Sequence, residues 1–447
     1  GSGNNLQGFY MYHGGTNPTG KLTTLQESQA TNYWNDMPVK SYEFQAPLGE
    51  FGQIAPHYHS LRLQHLFFRD AGQFLANATT YLPEKQPTNS KDSETLRWSV
   101  RTDGTSGLIF VNNYQRLQKM PAKRDVQFSV KLGEKTVTVP NRTITVPEDA
   151  IFFMPFNLPI SDSKLIYATA QPICKLEENG ETYLFFREIE GLTAEYQFDS
   201  GTIFIGKKDR VNRYKTTSGK FINIVSLNST EALKVWKARF QDRERVFLAS
   251  DELIVENNKI KRFSANSNDL SFSVFPAIKL KNRKSNRDGI FQKFEILKKP
   301  FSYKIGIGKI HSDMRLREIK NGSKGVAEAP HDADFKYSGD WQIIIPKEYK
   351  SKNLLLRIKY LGDVARLYLG DTLLTDNFYN GNAFEIGINR YLPDIYEKDL
   401  ILKVLPLQKN APIYLAEEAK PDFKGKDFVC QIEDVSLVEI FETSFNG

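Results

Sequence analysis

Two glutamates in the stretch SYEFQAPLGEFG, Ser41 to Gly52, have a type and a spacing that could do chemistry. Glu43 and Glu50 lie seven residues apart. A pair of carboxyl groups can work as a general acid and a nucleophile when one is protonated and the other is ionised. The alternative is that both carboxylates are solvated or brace a loop.

Histidines and cysteines are the other candidates for chemistry. One candidate metal site consists of His57, His59 and His65. At this spacing at the start of a helix, however, the three side chains do not share one face, and no carboxylate partner is obvious. We interpret them as ordinary surface and core histidines. Cys174 and Cys430 fit no metal or redox spacing and are interpreted as separate buried thiols. We expect no cofactor and no metal.

The charge balance is mildly basic, with 60 Lys and Arg against 53 Asp and Glu and a net charge of +7. The densest basic stretch, KLKNRKSNR at 279–287, lacks interleaved aromatic residues, which favours a solvated loop over a nucleic-acid interface. No apolar run approaches the roughly 20 residues that a membrane helix needs. We therefore expect neither nucleic acid nor a membrane among the partners, and we expect no targeting signal in this sequence.

The elements that would position the N-terminal candidates form one strand, one loop and one helix. Gly8 to His13, GFYMYH, is apolar or aromatic throughout, as expected of a parallel strand covered on both faces. A loop of some forty residues follows, and a loop of that length in a compact domain is usually functional. Apolar side chains at helical spacing after Pro56 predict a helix over 57–75. This order is that of one βα unit of a barrel, in which the strand ends and the loops carry the chemistry.

Short alternating segments rich in Val, Ile, Thr, Tyr and Phe dominate the chain after Pro83, and this pattern is typical of antiparallel sandwiches. Thr230 to Asp242, TEALKVWKARFQD, is predicted to be a helix. The predicted fold is mainly β, with an incomplete (β/α)8-barrel remnant followed by antiparallel β-sandwich and jelly-roll domains. The predicted boundaries are 1–82 for the barrel remnant, 83–215 for a β-sandwich, 216–330 for a second β-rich segment that is separate or shared with a neighbour, and 331–447 for a jelly roll.

Two linked motifs resemble one enzyme family. YMYHGGTN, Tyr10 to Asn17, followed by SYEFQAPLGEFG, Ser41 to Gly52, is similar to the final strand and loop of the catalytic barrel in the family 35 glycoside hydrolases, the β-galactosidases, which show forms like YMFHGGTNFG and SYDYDAPLDEYG. Weaker likenesses follow at Leu165 to Phe186, which resembles the β domain after the barrel, and at Gly362 to Gly381, which resembles the C-terminal galactose-binding-like jelly roll.

This resemblance implies a retaining hydrolase of terminal β-galactosides, in which one glutamate protonates the glycosidic oxygen and another attacks the anomeric carbon. By the resemblance, both catalytic glutamates lie on earlier barrel strands and neither is in this chain. The family positions of Glu43 and Glu50 carry no catalytic role, which favours loop bracing. The implied partners are a β-galactoside-containing oligo- or polysaccharide and a missing N-terminal barrel segment, and the implied location is secreted or periplasmic. The chain alone is expected to be inactive.

The resemblance also implies substrate-binding residues. The second tyrosine of the SYDYDAP-type loop contacts galactose, and Phe44 stands at that position without a hydroxyl group, while Tyr42 could supply one. His13 and Asn17, with Thr16, lie where the strand opens toward the active-site face. Packing at the barrel rim is the alternative for Phe44 and Tyr42, and capping of the turn is the alternative for Asn17 and Thr16.

Two structural expectations and two alternative functions complete the sequence-based hypothesis. Gly14 and Gly15 are expected to allow close backbone approach or a positive φ. Trp341, Tyr368 and Tyr379 are either sugar platforms or packing residues of the jelly roll. The alternatives to a glycoside hydrolase are a non-catalytic carbohydrate-binding or scaffold β-sandwich protein, and a partner-binding protein.

Overall fold

The predicted β-rich class is confirmed. The structure is a computed structural model that describes residues 1–21, 24–206, 211–265, 267–350 and 352–447. Strands make up 45% and helices 11% of it, and several antiparallel sheets form β-sandwiches. Within the described residues, no helix is both long enough and apolar enough to cross a membrane.

The predicted N-terminal helix is confirmed and is slightly longer than expected. Helix α1 runs Pro56–Asn77 and begins with proline at its first turn, where a missing N–H costs nothing. The buried apolar residues of the helix are Leu63, Leu66, Phe67 and Leu75, and the first three have the i, i+3, i+4 spacing of one helical face.

The buried strand predicted over Gly8 to His13 is wrong for this chain. In this stretch only His13 has a strand-type partner, a parallel bridge to Leu48, and the exposed fractions are 39% for Phe9 and 82% for Tyr10. Aromatic contacts take the place of strand pairing: the ring of Phe9 lies 5.7 Å from the ring of His65 on α1, and that of Tyr12 lies 6.0 Å from it. Apolar character throughout a stretch predicts burial on both sides, but only one side of this stretch is covered.

The first β unit covers residues 79–227. Its seven-stranded sheet has the order Ile203–Ile205, Glu195–Phe198, Ser163–Ala168, Ile151–Ile160, Gly107–Asn112, Trp98–Thr102 and Thr79–Tyr81. Its four-stranded sheet has the order Ala170–Glu178, Glu181–Glu188, Phe221–Leu227 and Val211–Lys215. A separate hairpin of Lys123–Leu132 and Lys135–Val146 shares a core with the seven-stranded sheet. Buried side chains of both sheets meet in one core, among them Leu165, Tyr196, Phe186 and Ile224.

The second β unit joins residues 235–294 to the end of the chain. A five-stranded sheet has the order Val235–Phe240, Arg243–Leu248, Phe272–Phe275, Phe291–Phe294 and Asn286–Asp288, and a three-stranded sheet has the order Glu252–Glu256, Lys259–Ser264 and Phe441–Asn446. The last strand therefore pairs with Lys259–Ser264 and does not stay with the predicted 331–447 segment.

The third β unit is a sandwich over residues 306–439. Its five-stranded sheet has the order Gly306–His311, Gly339–Ile344, Leu400–Val404, Val364–Leu369 and Thr372–Phe378, and its three-stranded sheet has the order Phe384–Gly387, Leu354–Leu361 and Gln431–Glu439. The remaining strand pairs are Leu407–Gln408 with Phe428–Val429 and, near the N-terminus, Gly15–Thr16 with Ser41–Tyr42. Short 3-10 helices are Gln29–Thr31, Asp332–Tyr337, Lys347–Tyr349, Ile388–Tyr391, Asp394–Tyr396 and Glu417–Ala419.

The helix predicted over Thr230 to Asp242 is wrong. Only Ser229–Ala232 is helical (α2), and Val235–Phe240 forms a hairpin with Arg243–Leu248. Gln241 and Asp242 form the turn of this hairpin, with φ of 50° and 59°. A two-residue turn needs positive φ at both positions if it is to match the right-handed twist of the two strands. Pairing with a neighbouring strand has overridden the helical propensity of the segment.

Helix α1 is attached to the second β unit through Arg62, which is 7% exposed. Its Nε donates to the carbonyl of Val235 at 3.0 Å and its Nη2 to that of Leu233 at 2.5 Å. The guanidinium lies 3.6 Å from the ring centre of Trp236, so the buried charge also gains a cation–π contact. Burial lowers the pKa of Arg62 to about 10.

The closing strand of the chain should stabilise the second β unit. Phe445 is buried against Phe272, whereas Ser444 beside it is exposed. We expect Phe445→Ala to destabilise this unit by about 3–5 kcal/mol, because a large buried ring leaves a cavity. Chemical denaturation followed at this unit measures the effect, with Ser444→Ala as control. Equal stability of the two variants would contradict the buried closing strand.

Candidate functional site

The segment that contains both sequence motifs is held against the third β unit by one buried carboxylate. Asp376 is 1% exposed, and it accepts hydrogen bonds from the consecutive amides of Val39, Lys40 and Ser41 at 2.6, 2.8 and 3.0 Å. Burial raises the pKa of Asp376, and the three amide hydrogen bonds oppose that rise. The loop that leads to Tyr42 therefore has a fixed origin on the sandwich.

Glu50 makes a second attachment and connects the two motifs. It is 2% exposed, accepts a hydrogen bond from Thr16 of the first motif, and accepts another from Thr375 at 3.0 Å. Arg390 lies 3.6 Å from the Glu50 carboxylate and donates to Thr16 Oγ1 at 2.7 Å and to the Glu50 carbonyl at 2.9 Å. Burial raises the pKa of Glu50, and its hydrogen bonds with Thr16 and Thr375 and the charge of Arg390 oppose that rise.

Glu43 lies close to Glu50 but on the rim of the loop. Burial raises its pKa, and a hydrogen bond from the Glu50 backbone amide opposes the rise. A Cβ at Gly49 would lie 2.6 Å from Gln53 Oε1 and 3.0 Å from Glu43 Oε1, so a side chain at this position would have to displace the ends of these two side chains. Glu50 is enclosed by protein groups, and the geometry makes it a brace of the loop.

Tyr42 and Phe44 are brought together on the accessible side of this loop. Their rings lie 4.7 Å apart in an edge-to-face contact, and Phe44 is 37% exposed. Tyr42 donates its hydroxyl hydrogen to Glu27 at 2.6 Å, and its oxygen lies 2.6 Å from the hydroxyl of Tyr10. The hydrogen bond to Glu27 raises the pKa of Tyr42. Phe44 and Gln45 have φ of 49° and 51°, which is an unfavourable conformation for non-glycine residues.

His13 and Asn17 differ in exposure. His13 is exposed, and its ring Nδ1 lies 2.5 Å from the carbonyl oxygen of Gly14. Asn17 is 6% exposed and donates through Nδ2 to the carbonyl of Val39 at 3.2 Å, so it fixes the loop from within. The expected close approach at Gly14 is confirmed, because a Cβ there would lie 2.7 Å from the Glu50 amide nitrogen. A Cβ at Gly15 would meet open space.

Asp376, Thr375 and Arg390 are the residues that sequence reasoning missed. Asp376 stands in the strand Thr372–Phe378, where Leu374 and Thr375 beside it are also buried. The signal available from the sequence was a carboxylate two residues after the apolar pair Leu373 and Leu374 in a strand segment, since a carboxylate that becomes buried needs partners.

The aromatic residues considered as sugar platforms in the jelly roll have packing contacts. Trp341 is 7% exposed and belongs to the sandwich core, and the ring of Tyr379 packs edge-on against that of Tyr360 at 5.6 Å. Tyr368 is half-buried, and Lys403 Nζ lies 5.9 Å from its ring centre.

The histidines do not form a metal site in the described part of the chain, which contains no group of three or more His, Cys, Asp or Glu arranged for a metal ion. His59 binds Arg62 through Nδ1 at 3.0 Å, and burial lowers its pKa. Cys174 and Cys430 are both free.

Comparison with known proteins gives little. No family model matches the chain. No curated protein matches it either. A solved structure, the GH31 α-xylosidase from Xanthomonas citri, aligns with 83% of this chain at 9% sequence identity and a TM-score of 0.13. The chain spans 37% of the length of that structure.

The anchoring role of Asp376 predicts a specific defect. Asp376→Asn should destabilise the docked loop by about 2 kcal/mol, because an amide nitrogen then faces backbone N–H groups and leaves at least one of them unpaired. Trypsin cleavage after Lys40 should become faster. Asp371→Asn, at an exposed turn beside the same strand, is the control. Cleavage at the same rate in both variants would argue against the anchor.

Glu50 predicts a pH dependence with a defined sign. Because burial raises the pKa of Glu50 above its ordinary value of 4.5, the folded chain binds the proton of the Glu50 carboxyl group more tightly than the unfolded chain does. Its contribution to stability is thus complete below about pH 4.5 and falls as the pH rises through the folded pKa. Thermal unfolding from pH 4 to pH 8 should show Glu50→Gln gaining stability relative to wild type as the pH rises. The exposed Glu397→Gln should show no such trend, and a constant difference for Glu50→Gln would refute the assignment.

Proposed function

We propose that this chain is the C-terminal part of a β-galactosidase-like retaining glycoside hydrolase that acts on terminal β-galactosides. The observation that carries the proposal is that the two motifs resembling the family meet in space. Thr16 of the first motif and Glu50 of the second are hydrogen-bonded to each other, and Arg390 contacts both. The strand pair of Gly15–Thr16 with Ser41–Tyr42 adds a backbone link between the same motifs.

In this proposal the chain supplies a sugar-contacting loop and no catalytic group. Phe44 offers an apolar ring face to the sugar, and Tyr42, oriented by Glu27, offers a hydroxyl oxygen. His13 lies exposed within the first motif, where a hydroxyl-rich ligand could reach its ring. Asn17 and Glu50 act through the loop, because both are enclosed by protein groups.

The acid and the nucleophile belong to an N-terminal barrel segment of the intact parent. In this proposal the exposed apolar side chains of Leu6, Phe9 and Tyr10 pack against that segment. Their exposed fractions are 87%, 39% and 82%, which is unusual for neighbouring large apolar residues and typical of a surface that another element covers.

The chain alone should not hydrolyse a chromogenic β-galactoside, because the enclosed carboxylate of Glu50 has no path to a sugar. The parent, expressed from a reading frame extended upstream of Gly1, should hydrolyse it. If the chain alone is active and Glu50→Gln or Glu43→Gln abolishes that activity, the proposal that the catalytic groups lie outside this chain is wrong. An extended frame that encodes no barrel would instead favour a non-catalytic carbohydrate-binding or scaffold protein.

The missing hydroxyl at Phe44 predicts a gain of affinity. In the parent, Phe44→Tyr should lower KM for a β-galactoside about fivefold, because one added hydrogen bond contributes about 1 kcal/mol. Phe301→Tyr adds the same hydroxyl at an exposed position outside this loop and serves as control. If Phe44→Tyr and Phe301→Tyr have the same KM, Phe44 does not contact the sugar.

A further inference from the structure

A cavity of about 420 Å³ opens in the first β unit, apart from the loop of Tyr42 and Phe44. It lies where the start of the four-stranded sheet meets the segment 147–152, and Arg187, Gln171, Glu148 and Glu190 line it together with apolar residues. Its volume is within the range of small-molecule sites in proteins.

Arg187 is the unusual residue in this cavity. Its Nε is buried and has no hydrogen-bond acceptor among the described residues, while the charge of Glu190 acts on its guanidinium. A buried donor without a partner lowers stability, so a folded protein that keeps one requires an explanation. An acceptor brought by a ligand would supply the missing partner.

A second donor stands directly beside Arg187. Gln171 is its register partner on the adjacent strand, so the two side chains share one face of the sheet. The Oε1 of Gln171 accepts from the Phe153 amide at 3.4 Å, which leaves the NH2 group of this cavity-lining residue available as a donor.

The rest of the lining distinguishes between classes of ligand. Glu148 and Glu190 contribute acceptors, and Glu148 is paired with Lys119 at 2.8 Å. An anion would gain from Arg187 but would be repelled by the carboxylate of Glu190. A hydroxyl group both donates and accepts, and it therefore matches a lining that presents both kinds of group.

Apolar side chains complete the cavity. Ile151 is 63% exposed and Ile189 is 8% exposed, and both line the cavity with Pro147. A sugar ring has C–H faces that suit such a wall and hydroxyl groups that suit the polar lining. We propose that this cavity binds a neutral saccharide of one or two rings, with Arg187 and Gln171 as donors to its oxygen atoms.

Methyl NMR of the isoleucine-labelled chain, titrated with galactose, lactose and cellobiose, tests the proposal. At least one sugar should shift the Ile151 and Ile189 signals, while galacturonate should bind no more tightly than galactose. Absence of shifts at these two residues up to 50 mM of every sugar, or tighter binding of galacturonate, would overturn the proposal.

Variants separate binding from folding. Arg187→Met should weaken sugar binding at least tenfold and leave the unfolding temperature equal or higher, because it removes a buried donor without a partner. Arg116→Met, at an exposed site in the same unit, should change neither. Unchanged binding in Arg187→Met refutes the site. If that variant unfolds, Gln171→Ala decides: a severalfold loss of binding supports the site and unchanged binding refutes it. Neither outcome depends on hydrolysis by the parent.

Discussion

The carboxylate of Asp376 is the point on which the arrangement of the N-terminal segment depends. Three consecutive amides, those of Val39, Lys40 and Ser41, donate to one side chain that is 1% exposed. A buried carboxylate is costly unless hydrogen bonds replace its water, and here the backbone of the loop supplies them. Removing the loop would leave the carboxylate unsatisfied, and removing the carboxylate would leave the amides unsatisfied. Loop and sandwich therefore stabilise each other.

The same segment is fixed at its other end by helix α1. Arg62 donates to the carbonyl of Leu233 and to that of Val235, where the second β unit begins. Asp70 accepts from the Lys175 amide of the first unit at 2.7 Å and from Lys237 Nζ at 3.1 Å. Residues 13–77 thus contact all three β units, although they contain few strand residues themselves. In this segment, hydrogen bonds between side chains and backbone groups hold the chain in place, whereas strand pairing does so elsewhere.

Local patterns predicted local structure well. The apolar stripe after Pro56 predicted helix α1, alternation predicted the sandwiches, and the glycine at position 14 predicted a close backbone approach. The segment from Thr230 failed because its apolar residues fit a helix as well as a strand, and only the pairing with Arg243–Leu248 decides between them. The stretch from Gly8 failed because apolar character does not reveal what covers it.

The candidate site was predictable only in part, for a related reason. Phe44 and Tyr42 were identified from their motif, and the structure brings them together. Asp376 and Arg390 lie more than three hundred residues further along the chain, and no local pattern connects them to the loop. Their roles arise from burial and from partners that only the folded chain provides.

Amide hydrogen exchange of the intact chain, read at Val39, Lys40 and Ser41, tests most directly whether the loop is held by Asp376. We expect these three amides to exchange at least about 100-fold more slowly than in an unstructured peptide, because each must leave a buried carboxylate before it can exchange. Exchange at the unstructured rate while the strand Thr372–Phe378 stays protected would contradict it.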